Sequence, residues 1–155
     1  MINRIQLREF IIEPALKSID MYSGSAVMLL EITAAVESRL GYYIKQISGP
    51  ALGIYQMEPE TFWDTYVNNI VPRKLIKKIL AATGYKSFAE PEVMCRDLHF
   101  ATIVARIHYS RFREPLPSND DFNGLVEYYY KYWRPNPLKT SLDDAIKRAK
   151  TILKE

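Results

Sequence analysis

Ala26, Val27, Met28, Leu29, Leu30, Ile32, Ala34, Ala35 and Val36 put apolar side chains on every face of a helix running from about residue 26 to residue 38. A helix that is apolar all round normally lies buried at the centre of a domain. Ser23 or Ser25 stands where an N-cap is needed. Residues 39–58 lose the helical period. They hold Gly41, Gly49, Pro50 and Gly53 among β-branched and aromatic residues, which predicts a loop or a short β-hairpin near residues 47–57. Pro59 opens a short helix to about residue 66. Pro72 suits the first turn of a helix that ends near residue 83, with Gly84 as its stop. Pro91 opens a long helical segment, about 92 to 113, with Leu98, Ile103, Val104 and Ile107 as its core stripe. Glu114-Pro115-Leu116-Pro117 is a rigid turn, and Ser118 or Asp120 caps the helix that follows, to about residue 133. Arg134-Pro135-Asn136-Pro137 breaks that helix. Ser141 and Asp144 have capping-box spacing for a last helix to about residue 153. The expectation is a mainly α fold, a bundle around a central buried helix with one irregular hairpin early in the chain.

The length of 155 residues predicts one domain, 1–155, with a substantial core. Cys95 is alone, which excludes an internal disulfide and a cysteine-rich metal site. His99 and His108 are nine apart and fit no metal spacing. There is no phosphate loop, nucleophile elbow or dinucleotide fingerprint, so no cofactor and no metal are expected. The apolar run from Ala26 to Ile32 is broken by Glu31 and is too short to span a bilayer. The N-terminus lacks the h-region of a signal peptide. The net charge is +3. Its basic clusters, Arg73-Lys74-Lys77-Lys78 and Lys147-Arg148-Lys150-Lys154, read as solvated helix faces rather than a recognition helix. No nucleic-acid partner is expected.

Glu37 is the candidate for chemistry. It ends the most apolar helix, where burial and the partial negative charge of a helix C-terminus both favour the protonated carboxyl. A carboxyl held protonated near neutral pH can act as a general acid. Downstream, Gly49 and Gly53 permit close backbone approach. Tyr55 offers a stacking face, Gln56 can both donate and accept, and Glu58 is a second carboxyl. The residues alone leave alternatives open. Glu37 also fits a polar residue where a buried helix meets solvent, and Gln56 and Glu58 fit turn chemistry ahead of Pro59. The run Tyr128-Tyr129-Tyr130 with Tyr132 and Trp133 fits either helix packing or a stacking wall for sugar rings.

Thr33-Ala34-Ala35-Val36-Glu37-Ser38, followed by Gly49-Pro50-Ala51-Leu52-Gly53-Ile54-Tyr55-Gln56-Met57-Glu58-Pro59-Glu60-Thr61, resembles the lysozyme-like superfamily. It is similar in particular to soluble lytic transglycosylases and goose-type lysozymes, whose pattern is Glu-Ser, an interval, then Gly-Ala-x-Gly-apolar-x-Gln-x-x-Pro-x-Thr. Small phage-encoded transglycosylase or endolysin-like proteins resemble the chain further. Pro14-Ala15-Leu16, the Ala105 to Arg111 run with Leu116-Pro117, and Tyr129-Tyr130-Lys131-Tyr132-Trp133 match their further blocks in order. The resemblance covers roughly residues 5 to 136.

It implies a lysozyme-like catalytic domain that cleaves the β-1,4 bond between N-acetylmuramic acid and N-acetylglucosamine in peptidoglycan glycan strands. Glu37 takes the place of the general acid/base. Ser38, Gly53, Tyr55, Gln56 and Glu58 fall in the substrate-groove motif. Arg106 and Tyr109 share a face of the long helix, and Tyr109 or Tyr130 takes the place of the tyrosine bonded to the catalytic carboxyl. A phage virion (tail), with other tail proteins as partners, or the host cytoplasm before lysis is the implied location. A non-catalytic virion or glycan-binding protein of the same fold is the alternative. The chain departs from the pattern in three places. Arg39 stands where Gly is usual. The interval from Glu37 to Gln56 is one residue longer. Residues 134–139 replace an Asn-Thr-x-x-Gly ending, so the C-terminal groove wall differs.

Overall fold

The computed structural model describes residues 1–154, and the chain in it is mainly helical. The first arm is α1 (Arg4–Leu7), a π-helical turn (Arg8–Ile12) and α2 (Glu13–Ser18). Asn3 caps it by accepting from the Gln6 N–H. The arm's scattered charges hide its helical period in the sequence. Leu7, Ile12, Ala15 and Leu16 are buried while Ile5 and Phe10 stay exposed, so packing rather than a clean stripe holds the arm in place.

The helix predicted at 26–38 is α3 (Gly24–Ser38), capped by Ser23 Oγ accepting from the Ala26 N–H at 3.0 Å. It is buried on every side and packs against α6 (Leu98–Ser110), α7 (Phe122–Trp133), α8 (Leu142–Leu153) and the N-terminal π turn. Glu31 in its middle is fully buried. Arg8 clamps it with bonds of 2.9 and 2.6 Å, and Arg4 adds bonds of 3.4 and 3.3 Å. Arg4 also donates to the Leu153 carbonyl at 2.6 Å, tying the arm to the end of α8. Buried charges of this kind require full pairing.

Residues 39–58 do not form the expected hairpin. Among the described residues there is no strand, only isolated antiparallel bridges, Lys45 to Leu52 and Leu52 to Met57. Ser48, Gly53 and Gln56 all take positive φ. Leu52 pairs with Lys45 on one side and with Met57 on the other, between sharp turns, and neither bridge extends into a ladder.

α4 (Pro59–Thr65) begins at Pro59 as predicted and runs on into a π-helical turn (Tyr66–Ile70). Pro72 does not open α5 (Ile76–Thr83). The chain turns first, with Lys74 at φ 55°, and Gly84 stops the helix at φ 75°. The long segment after Pro91 is two pieces. A 3-10 turn (Pro91–Cys95) ends, and Asp97 starts α6 afresh by accepting from the Phe100 N–H at 2.9 Å. Asp121, rather than Ser118 or Asp120, caps α7. The Ser141–Asp144 capping box starts α8 as its spacing predicts. The buried apolar side chains form one cluster that reaches from Leu7 to Leu153.

Candidate active site

The C-terminal end of α3 surfaces on the floor of a groove of about 1190 Å³. One wall is residues 46–51 with the start of α4. The other is the end of α7, the strap of residues 134–140 and α8. Glu37 lies on that floor, partly exposed. Its neighbours Val36 and Ser38 are buried, which fixes the carboxyl at the edge of the core.

Tyr129 of α7 donates its hydroxyl to Glu37 Oε1 at 2.6 Å. Arg148 of α8 also lines the groove and donates to the Val36 carbonyl at 3.1 Å, satisfying an acceptor at the helix end. Burial pushes the Glu37 carboxyl up from 4.5 to about 7; the Tyr129 bond and the Arg148 charge hold it back from going higher. Burial likewise pushes the Tyr129 phenol up, reinforced by the Glu37 carboxyl, so its proton stays on oxygen and donates. Near neutral pH Glu37 thus exists in both protonation states. It can give a proton and take one back.

Farther along the groove, Asp64 of α4 pairs with Arg111, whose hydrogen bond holds the acid below its usual range. His108 of α6 is buried, its Nδ1 3.3 Å from the Thr65 hydroxyl. Burial, aided by Arg111, pushes it down to about 4. It is therefore a neutral imidazole at the pH where Glu37 titrates. Trp133 packs edge-on against it, with ring centroids 5.1 Å apart, and lines the groove.

Of the residues expected in the groove, Glu37, Gln56 and Glu58 line it. Gln56 sits at φ 51° with its side-chain amide donating to the Gly53 carbonyl at 2.8 Å. The others are placed elsewhere. Ser38 is buried, and its hydroxyl donates to the Ile54 carbonyl at 2.6 Å and accepts from the Gly41 N–H. It fastens the loop to α3. Gly53 faces the 3-10 turn rather than the groove: at φ 76°, a Cβ there would come within 2.7 Å of the Met94 carbonyl oxygen. Tyr55 is buried, sharing a 2.8 Å bond with the Thr102 hydroxyl, and offers no stacking face. Arg106 donates to the Met21 carbonyl at 3.0 Å. Tyr109 is buried against the Thr33 hydroxyl at 2.7 Å, and Tyr130 donates to the Thr140 carbonyl. Neither is the tyrosine on the carboxyl; Tyr129 is.

The helical phase carried that distinction. Tyr129 lies four residues after Leu125 and three after Val126, both buried, so it shares the inward face of α7. Tyr130 does not. Arg148 has a weaker signal, a lone guanidinium among the small residues Ala145 and Ala149 that seat α8 on the core. Asp64, Arg111 and His108 come together only through the packing of α4 on α6.

Among the described residues no cluster of histidine, cysteine or acidic side chains is placed to hold a metal ion. No helix among them is long and apolar enough to cross a membrane. A scan against family models finds no match, and searches of curated proteins and of solved structures find none either.

Proposed function

We propose that the chain is a lysozyme-like glycosidase that cleaves the glycan strands of peptidoglycan, with Glu37 as its general acid/base. The observation that carries this reading is the Glu37 carboxyl, poised at about 7 on the floor of an open groove. A glycosidic oxygen needs a proton as its bond breaks, and an acid of this strength can supply it at neutral pH. The carboxylate left behind is met by the Tyr129 hydroxyl and the Arg148 charge. In a lytic transglycosylase that carboxylate then takes the proton of the muramoyl 6-hydroxyl, which closes a 1,6-anhydro ring. In a muramidase a second carboxylate, for which Glu58 on the groove is the candidate, serves the step in which water arrives. The lack of a second carboxylate at a familiar sequence spacing from Glu37 favours the transglycosylase.

Mass spectrometry of the fragments released from purified peptidoglycan tests the proposal. Anhydromuramoyl ends from the parent protein, lost in Glu37→Gln, are the expected result. Reducing ends lost in the same variant would keep Glu37 and turn the mechanism to water and Glu58. No release by the parent from several wall types would leave a non-catalytic glycan-binding or virion role in place of the enzyme.

A further inference from the structure

The groove carries unneutralised charge of opposite sign on its two walls. Arg134 and Lys139, on the strap between α7 and α8, line it and are exposed. Neither side chain makes an ion pair or a side-chain hydrogen bond among the described residues. This sets them apart from Arg111, which holds Asp64, and from Arg148, which holds the Val36 carbonyl. Glu58 and Glu60 on the opposite wall are equally unpaired among the described residues.

The strap that presents the two cations is tied down. Tyr130 donates to the Thr140 carbonyl at 3.0 Å, and the Thr140 N–H returns to the Asn136 carbonyl at 2.9 Å. The Leu138 N–H bonds Asn136 Oδ1 at 3.0 Å, and the Ser141 capping box follows at once. Arg134 itself closes α7 in the left-handed region, at φ 57° and ψ 60°. A non-glycine residue held there is held by its surroundings.

A neutral polysaccharide gains nothing from such walls. A glycan whose sugars bear short peptides brings carboxylates for one wall and, from a diamino acid, an ammonium for the other. The guanidinium fork of Arg134 matches a carboxylate with two parallel bonds, and Lys139 adds a point charge. We propose that Arg134 and Lys139 bind carboxylates of the peptide substituents, so that the groove takes peptide-bearing glycan in preference to bare glycan. The inference rests on the glycan-cleaving reading of the same groove. It falls on the stretch where the chain departs from the lysozyme-like pattern.

Binding to labelled glycan oligomers, read by fluorescence anisotropy with the Glu37→Gln protein so that nothing is cut, tests it. The probes are a peptide-bearing oligomer, the same oligomer stripped by an amidase, and a stripped oligomer carrying phosphate esters. The expected preference for the peptide-bearing form is about tenfold at low salt, the reach of two exposed charge pairs, and it shrinks as salt screens them. Adding Arg134→Ala and Lys139→Ala brings the ratio to about one. Leu138→Ala, on the same strap but outside the groove, keeps it. A ratio near one in the starting protein, or one that survives the double change, overturns the proposal. A phosphorylated, peptide-free oligomer bound as tightly as the peptide-bearing one also overturns it, because the strap would then read charge alone. Binding is scored without cleavage, so a protein that releases no fragments can still show the preference. A protein that cuts can equally lack it, and the two readings fail separately.

Discussion

Tyr129 donates to Glu37 Oε1 at 2.6 Å across a sequence separation of 92 residues, so the acid on α3 takes its bearing from a phenol on α7. The bond favours the ionised carboxyl, as does the Arg148 charge from α8. Removing either raises the Glu37 pKa above about 7. The alkaline limb of the pH–rate profile, where the acid loses its proton, should move to higher pH. Tyr129→Phe should move it further than Arg148→Met, because the hydrogen bond outweighs the more distant charge. Tyr129→Phe should also lower kcat by about ten- to a hundredfold through lost orientation of the carboxyl. A limb that stays in place in both variants would remove Glu37 as the titrating group.

Glu37 and His108 pull stability in opposite directions over nearly the same pH range. The folded state holds the Glu37 proton more tightly than the unfolded chain does. Its contribution is complete below pH 4.5 and lost as pH rises through about 7. His108 is held neutral, so its contribution is complete above pH 6.5 and lost as pH falls toward about 4. Each is worth up to about 3 kcal/mol at full effect. The parent should therefore show a shallow profile between pH 4.5 and 6.5. Glu37→Gln removes one slope and should leave stability rising with pH from 4 to 6.5. Urea unfolding across that range reads it, and a variant as flat as the parent would contradict the burial of His108 as a neutral ring.

Gly53→Ala should destabilise the fold by about 1–3 kcal/mol. The position has φ 76°, and the added Cβ meets the Met94 carbonyl oxygen at 2.7 Å. Because Gln56 anchors its side chain on the Gly53 carbonyl, the same change should weaken glycan binding. Thermal unfolding and a binding isotherm on one sample check both effects. Weaker binding at unchanged stability would place Gly53 at the groove instead of the core.

The buried Glu31 offers a test of the arm. Arg4→Met with Arg8→Met leaves a carboxylate inside α3 with neither guanidinium beside it, and should lower stability by about 3–5 kcal/mol. Adding Glu31→Met should recover much of that loss. If the triple variant is no more stable than the double one, the arm matters through its packing and not through its charges.

The sequence disclosed those features whose causes are local. The all-apolar period of α3, the serine before it and the Ser141–Asp144 box are each decided within a few residues. So is the placement of Glu37, because a helix end at the rim of a core is written in the pattern around it. The irregular loop was legible only as one of two alternatives, a loop or a short hairpin. β-branched residues suggested a hairpin, but Ser48 and Gln56 take positive φ and no ladder forms. Ser38, Gly53 and Tyr55 sit inside the most telling motif, yet they serve its scaffold. A motif marks which residues occur together, not which of them face the solvent. Tyr129 and Arg148 lay outside it, because α7 and α8 reach Glu37 only when the bundle closes.

The bond from Arg4 to the Leu153 carbonyl has a practical reach of its own. It sets the first helical turn and the last within one side chain of each other. The order of segments along the backbone is therefore separable from the shape they build. A short glycine-serine bridge between the two ends would permit new ends to be opened at Lys86 and Ser87, exposed residues outside the groove. The rearranged chain would start with the 3-10 turn and α6 and finish with α5, and Tyr129 and Arg148 would then precede Glu37 along the backbone.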